Sequence, residues 1–157
     1  IPSVAIVLGY LSGGVLRGFL VMCLVAVVVY LFNPFAIHNI FVLIFAALTT
    51  AIIFSALGMI NAIIAGNHDE ANWVNNFVIT PLTYMGGVFF PMTVLPAIIQ
   101  PVAEMNPIFM VVSSFRYGIL GVEAGPLHLH LAGLAACAIG LVVGLMAMIE
   151  HRYQLGD

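Results

Sequence analysis

Lysine is absent from this 157-residue chain, and only Arg17, Arg116 and Arg152 carry full positive charge. So thin a cationic surface leaves no nucleic-acid footprint, and no nucleic-acid partner is expected. Charged residues of either sign make up only 6% of the chain, against 64% hydrophobic residues and a mean hydropathy of +1.23. Water-soluble domains carry roughly 25% charged residues, so the solvent for this chain is the lipid bilayer. Long apolar runs without period-two alternation then call for spanning helices, which satisfy their own backbone groups. The fold class is an all-α integral membrane protein. Cysteine is scarce as well: Cys23 and Cys137 lie inside apolar runs and read as small packing residues rather than a disulfide.

Catalytic patterns are missing too. No phosphate-binding glycine loop, nucleophile–histidine arrangement or pair of intramembrane carboxylates occurs. His128-x-His130 lacks a third ligand nearby, so no metal site is expected. The chain is expected to be no enzyme and to bind no cofactor itself.

What is present is a series of apolar segments with sharp punctuation. A bilayer crossing needs about 20 apolar residues. Arg17 is costly at mid-membrane, so it is placed at headgroup level, with 1–16 as an interfacial entry helix and 17–32 as the first span. Asn33-Pro34 ends that span. Spans are also expected over 40–65, 73–94 and 129–149, with Trp73 in the interfacial belt. Residues 95–127 hold four of the eight prolines and cannot form one regular helix. Arg17 and Arg152 place both ends of the chain in the cytoplasm under the positive-inside rule.

Three glycine pairs, Gly9/Gly13, Gly14/Gly18 and Gly140/Gly144, have the spacing that lets helix backbones approach closely. In the third span, Asn72, Asn76, Thr80, Thr83 and Gly87 recur on one helical face. Asn76, Thr80 and Thr83 are candidate pathway-lining residues; internal helix–helix hydrogen bonding is the alternative reading. Glu104, Arg116 and Glu123 are the charges of the broken block, read as mutual pairing or plain solvation.

The run Phe77-Val-Ile-Thr-Pro-Leu-Thr-Tyr-Met-Gly-Gly-Val-Phe-Phe90, then Leu95-Pro96, Asn106-Pro107 and Phe115-Arg-Tyr-Gly118, resembles the ABC-2 type permease family, in its small bacterial inner-membrane branch. Gly13-Gly-Val-x-Arg-Gly18 matches that branch as well, and the resemblance covers essentially the whole chain. It implies an ABC-2 (type V exporter-like) transmembrane domain, with about four spans corresponding to the last four of the family's six. A re-entrant external helical segment would occupy 95–127, with Asn106, Pro107 and Arg116 fixing its structure. The abrupt Ile1-Pro2 start then reads as an N-terminal truncation. Also implied are export by alternating access, a separate ABC ATPase subunit that carries ATP and Mg, a permease homodimer, and a multi-pass location in the bacterial inner membrane. A non-transporting structural or assembly subunit is the alternative.

Overall fold

The computed structural model describes residues 3–89, 94 and 96–154. Helices α1 (Ser3–Phe32), α2 (Ile40–Ile64) and α7 (Leu127–Gln154) are the long elements. By length and composition, α1, α2 and the Leu127–His151 part of α7 are each able to cross a membrane. Between α2 and α7 the helices are short: α3 (His68–Val74), a π-helical turn (Asn75–Ile79), α4 (Thr80–Met85), α5 (Gln100–Glu104) and α6 (Pro107–Leu120). No strand occurs among the described residues.

The helix ends follow local chemistry. Asn39 caps α2, its side-chain oxygen accepting from the amides of Phe41 (3.1 Å) and Val42 (3.2 Å). Asn67 caps α3 through the Glu70 amide (2.9 Å). Glu70 reaches back to the Gly66 amide (2.7 Å), which closes a reciprocal box at this polar turn.

Contacts between the long helices fix their directions. Gly14 and Gly18 of α1 face Ser55 and Ala51 of α2, so the two run antiparallel. A methyl added at Gly14 would collide with Ser55 Oγ, and one at Gly18 would lie 3.3 Å from Ala51 Cβ. Helices α2 and α7 run parallel, joined by one cluster around Ile53, Leu134 and Ala138 and a second around Val7, Leu11, Ala56, Leu145 and Ile149. The second cluster sets the start of α1 and the end of α7 at the same end of the bundle.

Two features differ from the sequence reading. An entry helix over 1–16 and a separate span over 17–32 were expected, yet α1 is one unbroken helix of 30 residues. No proline interrupts it, and Gly18 faces Ala51, so Arg17 sits level with the middle of α2 rather than at a helix end. The third expected span, 73–94, stops at Met85 and contains the π turn; its residues 90–93, and residue 95 of the expected re-entrant segment, lie outside the described residues.

Candidate functional site

The broken region is built by proline and glycine. Pro81 has no amide to give to the Phe77 carbonyl, and its ring crowds that carbonyl. The chain accommodates this by widening one turn: the Thr80 amide reaches back five residues to the Asn75 carbonyl, and Thr80 Oγ1 donates to the same oxygen at 2.9 Å. Such π turns inside helices are frequent at functional sites. Helix α4 then ends at Gly86, and Gly87 takes φ +72°, open to glycine at no steric cost.

Helix α6 continues where α4 leaves off. Its first turn packs on the end of α4: Ile79 and Leu82 meet Pro107, Ile108 and Val111 around a small void of about 40 Å³, shared with Ile53 and Leu57 of α2. The link is Asn106, which is buried. Its Nδ2 donates to the Leu82 carbonyl at 2.6 Å, while its Oδ1 accepts from the Ile108 amide at 2.9 Å and so caps α6. Pro107 occupies the first helical position, where a missing amide costs nothing.

At its other end, α6 is clasped by the α1–α2 connection. The His38 and Asn39 amides donate to the Ile119 (3.3 Å) and Gly118 (2.9 Å) carbonyls. The His38 and Tyr117 rings meet edge to face at 5.4 Å. Gly118 lets α6 approach α2, because an added Cβ would lie 3.2 Å from the Leu43 amide nitrogen. The α4 and α6 segments thus form one discontinuous path along the bundle, an α3–α4 arm from one end and α6 to the other.

The candidate residues fall at different places on this path. Asn76 and Thr80 are exposed on the arm, beside the π turn. Thr83 is half-buried and donates to the Ile79 carbonyl at 2.8 Å. The widened turn shifts the face on which Asn72 and Asn76 lie relative to Thr80 and Thr83, so the stripe is offset rather than straight. Arg116 is half-buried on α6, and among the described residues no ion pair joins it to Glu104 or Glu123. Gly14 and Gly18 pack on α2, whereas methyls at Gly9, Gly13, Gly140 and Gly144 would meet nothing within 4 Å, which leaves those faces open. Among the described residues no group of three metal-ligating side chains occurs.

Sequence reasoning did not find the π turn, the Asn106–Leu82 link or Ser113, whose buried hydroxyl has no partner among the described residues. Pro81 inside a helical pattern was the available signal for the first of these. The other two depend on which helices become neighbours.

Comparison with known proteins follows the same outline. The ABC-2 type transporter family model matches residues 1–120. The chain is 43% identical over 130 residues to the inner membrane transport permease YadH of Escherichia coli (strain K12), covering 81% of this chain and 50% of that protein. It is 29% identical over 103 residues to nodulation protein J of Rhizobium leguminosarum bv. viciae, covering 66% of this chain and 40% of that protein. The chain therefore spans about half the length, or less, of these relatives. No solved structure matches it. A family match reaching from the first residue to the end of α6, and an all-helical bundle with three membrane-length helices, lead to one conclusion: the chain belongs to the ABC-2 type transporter family.

Proposed function

We propose that this chain is the membrane-spanning permease subunit of an ATP-binding-cassette exporter, moving substrate outward by alternating access. Energy comes from separate ATPase subunits that hold ATP and Mg, and the permease works as a homodimer in the bacterial inner membrane. Both ends of the described bundle face the cytoplasm. Family membership and the likeness to a transport permease of E. coli support the transport reading.

The observation that carries it is the discontinuous run of α4 and α6. A membrane helix with no transport role has no need of a π turn, an exposed polar face at Asn76 and Thr80, and a break at Gly86-Gly87. Broken backbone at membrane depth is tolerated where protein or a water-filled path satisfies it. In this mechanism the ATPases move the α3–α4 arm, and the glycine break lets the arm move without dragging α6, which is held at both of its ends. Asn76, Thr80 and Thr83 line the path; Asn106, Pro107 and Arg116 fix the segment above it.

The test has two arms. A tagged form expressed in its host co-purifies an ATP-binding subunit, and the pair in proteoliposomes hydrolyses ATP. Thr80→Leu fails to complement a deletion strain while inserting at wild-type level. No ATPase partner together with full complementation by Thr80→Leu defeats the proposal; loss of insertion in that variant assigns the stripe to packing.

A further inference from the structure

The end of α2 and the returning helix α3 enclose a cleft of about 550 Å³, lined by Asn61, Ile64, Asn67, Glu70, Trp73 and Val74. A tight reversal builds it. The box at Gly66 to Glu70 turns the chain back, and Asn61 Nδ2 donates to the Ala71 carbonyl at 3.0 Å, which ties α3 to α2. Glu70 and Trp73 are three residues apart on α3, so both stand on the face that borders the cleft.

The Glu70 carboxylate is held in place but not neutralised. Its Oε2 accepts from the Gly66 amide at 2.7 Å and its Oε1 from Asn67 Nδ2 at 3.2 Å, both uncharged donors. No arginine or lysine occurs from residue 18 to residue 115, and among the described residues no basic side chain pairs with Glu70. Beside it the Trp73 indole stacks on Phe77, with centroids 5.3 Å apart and planes 23° apart, which fixes the ring while it stays exposed. The face of a tryptophan attracts cations more strongly than that of any other side-chain ring. Ile64 and Val74 add apolar wall, and the volume falls within the roughly 300–1,000 Å³ of small-molecule pockets.

We infer that this cleft binds an amphiphilic organic cation, its positive group between the Glu70 carboxylate and the Trp73 face and its apolar body against Ile64 and Val74. Carboxylate and ring both select for positive charge. The apolar wall selects for hydrocarbon, and a single carboxylate is too few ligands for a hard metal ion, which takes six or more oxygens. The cleft stands at the foot of the α3–α4 arm. Its service as the loading point for exported substrate rests on the export reading, whereas binding itself needs neither nucleotide nor ATPase, so a failure of export leaves the site standing.

Trp73 is the single tryptophan, so its emission reports on the site directly. The full chain in nonionic micelles is dialysed against tetraphenylphosphonium or tetraphenylborate, ions of nearly the same shape and opposite charge, at fixed free concentrations. Wild type shows a saturable change in emission and binds the phosphonium about tenfold more tightly, the product of about threefold each from an exposed carboxylate pair and a cation–ring contact. Glu70→Gln, which keeps an oxygen for the Gly66 amide, narrows the preference to the ring's share of about threefold. Trp73→Leu, read by dialysis of the ions themselves, narrows it to the carboxylate's share of about threefold. A response that does not saturate, equal affinity of wild type for the two ions, or an undiminished preference in either variant overturns the inference. So does phosphonium binding that disappears once an ATP-binding subunit is bound to the chain, because the cleft is then a protein contact.

Discussion

Replacing Asn106 separates two contributions that one side chain makes. Its oxygen caps α6 and its amide nitrogen binds the end of α4 at Leu82. Serine is as good a cap as asparagine but too short to reach Leu82, whereas alanine loses both functions. The Leu82 carbonyl is exposed to this loss because its natural partner, the Gly86 amide, turns instead to the Thr83 carbonyl at 3.2 Å. A buried carbonyl left without a donor costs about 1–3 kcal/mol. The missing cap in the alanine variant adds about 1 kcal/mol. Asn106→Ser is therefore expected to lose about 1–3 kcal/mol, and Asn106→Ala about 2–4 kcal/mol once the cap is added. At the midpoint of the serine range, the folded-to-unfolded ratio falls about 30-fold. Unfolding in mixed micelles is followed by circular dichroism for the bundle and by emission of Trp73, the single tryptophan, for the α3–α4 arm. Both probes shift together if the link joins the arm to the bundle. A serine variant within about 0.5 kcal/mol of wild type, an ordinary surface-substitution effect, refutes the link; equal losses in serine and alanine refute the cap.

Two further expectations concern backbone and packing. Gly118→Ala forces a Cβ to 3.2–3.3 Å from the Leu43 backbone and costs about 1–3 kcal/mol by overpacking, whereas Gly140→Ala meets open space and is neutral or stabilising by up to about 1 kcal/mol; thermal melts of the two variants test the contrast. Pro81→Ala restores the amide that the Phe77 carbonyl lacks, so the widened turn reverts to α-helix and the arm beyond it rotates by about 100°, one residue step. Cysteine-accessibility scanning over 75–85 then shows a shifted face; an unchanged pattern means that the π turn does not depend on the proline.

The sequence carried the membrane class, the long helices α2 and α7 and the stop at Asn33-Pro34, since each rests on local hydropathy or on backbone chemistry. It placed the end of the third span at 94 because Val88 and Phe89 prolong the apolar run, whereas the structure ends α4 at Met85. Hydropathy does not distinguish residues facing lipid from residues packed against protein, as both surroundings are apolar. The expected break beside Arg17, between an entry helix and a span, is absent, because nothing in the local sequence interrupts α1. The penalty for a deep charge argues where an isolated helix sits, not where it breaks, and Gly14 and Gly18 beside Arg17 pack on α2 without interrupting the helix. The register that brings Asn106 to Leu82 and Gly118 to Leu43 is set by tertiary contacts across 24 and 75 residues of chain, and no local pattern encodes it.

The brevity of α6 bears on how the protein is made. Fourteen residues extend about 21 Å, short of the roughly 30 Å hydrocarbon core. Ser113 and Ser114 are buried along its length, with Arg116 half-buried beyond them. Such a segment is a poor substrate for insertion on its own. Its shelter is a wall formed by α2, already in the membrane, and by α7, which is synthesised afterwards. The order of synthesis is thus not the order of burial. A chain halted before α7 leaves α6 without half of its enclosure, and quality-control proteases that recognise exposed polar membrane segments meet their substrate there.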